Sequence, residues 1–102
     1  MNAKVSLTVE AEADLVRLYE FVLAREDGDL TLADKALTAI TVAFESLALT
    51  PFTCRKAQPD NPFLRELIIP FGATGYVALF EITNSDWITI IAVRHQRESD
   101  YH

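Results

Sequence analysis

The sequence predicts a segregated α+β domain of one strand, two helices and three further strands, with the helices paired as a hairpin on one face of an antiparallel sheet. Three observations carry this: a period-two stretch at the N-terminus, two successive runs with apolar residues three and four apart, and three β-branched and aromatic runs in the second half. In the first stretch Val5, Leu7 and Val9 alternate with Lys4, Ser6 and Thr8, as in a strand with one buried face. Thr8 is then a suitable N-cap, and Glu10, Glu12 and Asp14 place acids in a first helical turn, where they complement the helix dipole. The stripe Ala11, Leu15, Leu18, Val22, with Tyr19 beside it, covers one helical face. Asp27-Gly28-Asp29 breaks the pattern as a turn.

A second helix follows from about Leu32, where Ala33, Leu37, Ile40, Phe44 and Leu47 repeat at helical spacing until Thr50-Pro51 stops it. Helices joined by so short a turn form an antiparallel hairpin. Residues 51–62 hold Pro51, Pro59, Asp60, Asn61 and Pro62, which suit neither a helix nor a central strand, and are expected to form the longest loop. Phe63 to Ile69, Gly75 to Thr83 and Trp87 to Arg94 then read as strands, with Asn84-Ser85-Asp86 as a hairpin turn. Residues 76–82 and 87–93 are apolar at almost every position, yet one pair of helices covers only one side of a sheet. A partner chain, a homodimer contact or the C-terminal tail must cover the other.

At 102 residues the chain fits one domain, residues 1–102, because two pieces would each be too small to bury a core. Half the residues are hydrophobic, which is rich for this size and leaves either a well-filled core or apolar surface for a partner. The net charge of -6 disfavours a general nucleic-acid binder. The charge is uneven: residues 1–50 carry nine acids against four bases, residues 51–102 six against five. The later bases cluster as Arg55-Lys56, Arg65, and Arg94-His95 with Arg97. Cys54, the single cysteine, excludes an intramolecular disulfide and a cysteine-based zinc site. Apolar runs such as Ile90 to Val93 are too short to span a bilayer and no leader is visible, so a cytoplasmic protein is expected.

The segment Ala92-Val93-Arg94-His95-Gln96-Arg97-Glu98 resembles the strand-end signature of ParE toxins. Leu64-Arg65-Glu66-Leu67 and Gly75-Tyr76-Val77-Ala78-Leu79-Phe80 resemble the family's arginine-bearing and glycine-aromatic strands, and Leu7-Thr8 with Glu10 to Leu15 its first strand and helix start. Val9 stands where proline is frequent, and Phe80 where tyrosine is common. The resemblance spans the chain in order, and it is to the RelE/ParE toxin–antitoxin superfamily. It implies a toxin neutralised by a ParD-like antitoxin, whose C-terminal segment would cover surplus apolar surface. It also implies one of two activities on one fold, inhibition of DNA gyrase or ribosome-dependent cleavage of messenger RNA, and a relative that only binds its antitoxin is a third reading.

Metal-free RNA cleavage needs a base for the 2′-hydroxyl, an acid for the leaving oxygen, and cations on the phosphate. Arg65, Arg94 and Arg97 are candidate cations, His95 a proton carrier, and Tyr101 an acid or base, so the nuclease set would be Arg65, His95, Arg97 and Tyr101. The lysine-rich region of RelE-type nucleases is replaced by only Arg55 and Lys56. His95 equally suits a hydrogen-bonding role closing the sheet edge, and Arg65 either a half-buried ion pair or an antitoxin contact. A binding toxin, without direct DNA binding, is therefore the favoured expectation, and DNA gyrase is the target that the resemblance implies. Its partner-binding candidates are Arg65, Tyr76, Phe80, Trp87, Arg94, His95 and Arg97, although Tyr76 and Trp87 also suit the core. His95 and His102 are too few ligands for a metal site, and no cofactor is implied.

Overall fold

The computed structural model describes residues 2–25 and 28–101, so Asp27 of the expected turn and His102 lie outside the described residues. The elements are β1 (Lys4–Leu7), α1 (Val9–Arg25), α2 (Leu30–Leu47), a 3-10 turn (Pro51–Thr53), β2 (Arg55–Gln58), β3 (Asn61–Phe71), β4 (Thr74–Asn84) and β5 (Trp87–His95). The α+β class and the helical hairpin on one sheet face are as expected. The sheet runs β1-β5-β4-β3-β2. β1 lies parallel to β5 while the other three pairs are antiparallel, so the sheet is mixed rather than wholly antiparallel. Alternation in a four-residue strand reports which face is buried and says nothing of the direction of its neighbour.

The segment expected to be one long loop contains β2. Its prolines exclude a central strand, and β2 is an edge strand that pairs only with β3. Arg65 on β3 secures it, donating to the carbonyls of Cys54 at 2.8 Å, Phe52 at 3.3 Å and Pro62 at 2.7 Å.

Thr8 caps α1 as expected, its hydroxyl accepting from the Ala11 N–H at 3.0 Å. Val9 is therefore the first helical residue, a position where proline costs nothing because its N–H would have no helical partner. α2 begins at Leu30, two residues before the expected start, because the Asp29 carboxylate accepts from the Leu32 N–H at 3.2 Å and makes Asp29 the cap.

Pairing of β1 with β5 ends at Leu7 and Ile90, and β5 continues to His95 with an unpaired edge. α1 serves that edge with side chains. The Thr8 N–H donates to the Ile90 carbonyl at 3.0 Å and its hydroxyl to the Ile91 carbonyl at 2.8 Å. Six residues on, the Asp14 carboxylate accepts from the Val93 N–H at 2.9 Å and is 4% exposed.

A β-bulge explains part of the two-sided hydrophobicity. Leu79 pairs with Ala92 but Phe80 with Ile90, leaving Ile91 as an extra residue on β5. The residues of β5 turned toward the helices thus change from Ile88 and Ile90 to Val93, all in one core with Ala11 and Leu18 of α1 and Ile40 and Phe44 of α2. On β4 the phase is constant, and Tyr76, Ala78, Phe80 and Ile82 join that core.

The opposite face carries Val77 and Ala92, each 2% exposed. Of the three covers the sequence allowed, the C-terminal tail occupies this face. The Gln96 N–H donates to the Gly75 carbonyl, and the tail then crosses β4 until the Tyr101 hydroxyl donates to Glu66 on β3. Only glycine fits at position 75, since a Cβ there would lie 2.1 Å from the Ile69 carbonyl oxygen.

Asp14→Ala leaves the Val93 N–H buried without its acceptor, and is expected to lower stability in urea unfolding by about 2 to 3 kcal/mol. Asp14→Asn keeps an acceptor oxygen and should cost less. Equal midpoints for Asp14→Ala and the unsubstituted protein would show that α1 does not depend on this contact.

Candidate functional site

The residues singled out in the sequence do not form one cluster. β5 and the tail bring Arg94, His95, Arg97 and Tyr101 to one end of the sheet, whereas Arg65 faces the helix side of β3 beside Phe52. Within the first group the side chains are largely committed to one another. Arg94 Nη1 donates to three tail carbonyls, at 2.6 Å to Glu98, 3.2 Å to His95 and 3.3 Å to Gln96. Its guanidinium also lies 5.1 Å from the Tyr101 ring centre. Tyr101 donates to Glu66, whose other oxygen takes Arg55 Nε at 3.0 Å. Arg55, Glu66, Tyr101 and Arg94 thus form a polar chain over the back of the sheet.

His95 has a defined tautomer. The Arg97 backbone N–H points at Nδ1 at 3.1 Å, which makes Nδ1 an acceptor, so the ring proton sits on Nε2 and is given to the Thr74 hydroxyl at 3.0 Å. Burial favours this neutral ring and lowers its pKa; Arg97 and Arg25 act in the same direction, and Glu98 opposes them. Both ring nitrogens are engaged inside the protein. Burial would by itself raise the Glu98 carboxyl, but the His95 N–H and Arg17 outweigh it and hold the group below its ordinary range. Tyr101 is pushed far above the ordinary tyrosine range, by burial first and then by the hydrogen bond and charge of Glu66. A phenol so held is a poor acid and a poorer base at neutral pH.

Burial bears on two of the partner-binding expectations, and it removes Phe80 as a surface contact. Phe80 is 0% exposed and Tyr76 4%, because both lie on the phase of β4 that packs under the helices; Phe80 is sealed from solvent, while Tyr76 forms part of the inner wall of a cleft at the C-terminal end of α1. Trp87 is 40% exposed and bridges the sheet edge, giving its indole N–H to Ser6 at 2.8 Å with Lys4 Nζ 5.9 Å from the ring. Arg65 meets backbone carbonyls, with no acid paired to it among the described residues. Arg97 is exposed, and its guanidinium has no hydrogen bond or ion pair among the described residues.

Three concave surfaces remain open. Between α1 and α2 a groove of about 630 Å³ is lined by Leu15, Val16, Tyr19, Leu23 and Leu37, with Val16 58% exposed. Beside the β4–β5 hairpin a depression of about 660 Å³ is lined by Phe52, Phe63 and Ile82. At the C-terminal end of α1, two adjoining clefts of about 230 and 400 Å³ share Leu18, Phe21, Arg25 and His95.

A family model described as the ParE toxin of the type II toxin–antitoxin system parDE matches residues 5–100. The chain belongs to the ParE toxin family. Its fold is similar to that of a chain from the chromosomal ParDE TA system of P. aeruginosa, with a TM-score of 0.72 and 19% identity over 92% of this chain and 96% of that one. No curated protein sequence matches. Among the described residues, no helix of this ParE-family chain is long and apolar enough to cross a membrane.

Sequence reasoning missed Asp14, Glu66 and Glu98, the carboxylates that organise the site. Asp14 carried a usable signal. It stands three residues after Ala11 and four before Leu18, so it belongs to the buried stripe as much as to the acidic first turn. Glu66 and Glu98 carried less, since Tyr101 lies 35 residues from Glu66 and Arg17 81 residues from Glu98, although Glu98 also accepts from the His95 N–H three residues back.

Below its ordinary pKa of 6.5, His95 in the unfolded chain takes up a proton that the folded ring resists, so stability is expected to fall as pH drops from about 7 toward 5. Glu98, held low, adds loss of the same sign at more acidic pH, as it protonates in the folded state. Urea unfolding across this range should show the decline, and His95→Asn should flatten its upper part. A wild-type stability flat from pH 7 to 5 would contradict the assignment of a neutral, doubly bonded His95.

Proposed function

We propose that this ParE-family toxin acts by binding DNA gyrase rather than by cleaving RNA, and that a ParD-like antitoxin neutralises it in the cytoplasm. The observation that carries the choice is the internal commitment of the proton-transfer candidates. His95 has no nitrogen left for a substrate hydroxyl, and Tyr101 gives its proton to Glu66. Arg65 and Arg94 are occupied by backbone carbonyls, which leaves Arg97 as the one openly placed cation of the nuclease set. A net charge of -6 adds repulsion against ribosomal RNA. Binding needs no free base, and the exposed apolar groove between α1 and α2 suits the antitoxin, whose apolar side chains would cover Val16 and Leu37.

The purified toxin should inhibit supercoiling by purified gyrase and leave messages intact on purified ribosomes. His95→Asn should keep inhibition within roughly tenfold, because one contact in a broad interface rarely carries more, whereas loss of a proton carrier costs about 10²- to 10⁴-fold in rate. Cleavage at the ribosomal A site that disappears in Tyr101→Phe or His95→Asn would place this chain among the nucleases instead.

A further inference from the structure

The clefts at the C-terminal end of α1 combine an apolar floor with unneutralised charge. Leu18, Val22 and Phe71 line the floor. Phe21 stands at the rim, 53% exposed, with the Arg25 guanidinium 5.7 Å from its ring centre. Arg97 enters from the tail on the other side. Neither Arg25 nor Arg97 has a carboxylate partner among the described residues. The one described carboxylate in the cleft, Glu98, is already paired with Arg17 at 3.1 Å. Among the described residues, the cleft thus places two arginines without a carboxylate partner beside an exposed aromatic ring, on a protein whose net charge is -6.

We propose that this cleft binds an acidic segment of the antitoxin in which a bulky apolar side chain is flanked by carboxylates. The apolar side chain would fill the floor beside Phe21, and the carboxylates would meet the planar forks of Arg25 and Arg97, which match carboxylate geometry with two parallel hydrogen bonds. This inference rests on the toxin–antitoxin reading and adds a second anchoring point to it. The helical stripe separates the two. Leu15, Tyr19 and Leu23 lie on the flank of α1 toward α2, while Phe21 and Arg25 lie on the flank toward β5 and the tail. The same chemistry disfavours single-stranded RNA. Two arginines do not track a phosphate backbone against the charge of the whole protein, and Phe21 is a single exposed ring rather than a row of stacking platforms.

The test uses the complex with a cognate ParD-like antitoxin, followed by surface plasmon resonance at several salt concentrations. Arg25→Gln with Arg97→Gln should speed dissociation about tenfold at low salt, with the difference shrinking as salt rises, and Phe21→Ala should speed dissociation at every salt concentration. The three side chains are exposed, so the melting temperature should stay unchanged. Val16→Glu, in the groove, is the control for the toxin–antitoxin reading itself. If Val16→Glu weakens the complex and the cleft variants do not, the cleft is not an antitoxin site and the functional reading stands. If the unsubstituted protein forms no complex, the functional reading falls, and this inference falls with it. Binding of a single-stranded RNA oligonucleotide that requires Arg25 and Arg97, with antitoxin affinity unchanged, would overturn the peptide assignment.

Discussion

The architecture depends on how the exposed edge of β5 is satisfied beyond the end of β1. A strand edge facing a helix has no water to serve its backbone groups, so an unmatched N–H there costs as much as a lost hydrogen bond. α1 and its cap meet the demand with side chains: Thr8 starts the helix and binds Ile91, and Asp14 follows six residues later at Val93. The bulge at Ile91 permits this, because it turns Val93 toward the helices and aims its own carbonyl at Thr8. The position of α1 fixes where its two flanks point, and hence where the apolar groove and the arginine-rimmed cleft open.

The tail solves the second problem of the fold, the apolar back of the sheet. It does so with polar groups at its anchor points. Arg94 gathers the tail carbonyls, Glu98 and His95 close the turn, and Tyr101 reaches across β4 to Glu66. Side chains that would look catalytic in a list of residues are thereby used as ties. Both ring nitrogens of His95 and the hydroxyl proton of Tyr101 are engaged within the protein. What stays on the surface is suited to contact: an apolar groove, an aromatic depression at Phe52 and Phe63, and two arginines near the end of α1.

Much of the fold was legible in the sequence because the relevant forces are local. Helical spacing, the Thr8 cap, the proline-rich stop after α2 and the β-branched runs each act within a few residues, and they determined the α+β class, the hairpin and the three later strands. The end-to-end resemblance determined the family. The parallel pairing of β1, the edge strand within residues 51–62 and the bulge at Ile91 depend on partners far along the chain, and no local pattern specifies them. The same limit applied to the site. Residue type marked Arg65, Arg94, His95 and Tyr101 as chemically able. Only the tertiary structure decided that each is spent on a backbone carbonyl, a hydroxyl or a carboxylate, because a hydrogen bond depends on where its partner lies in space and not on the distance along the chain.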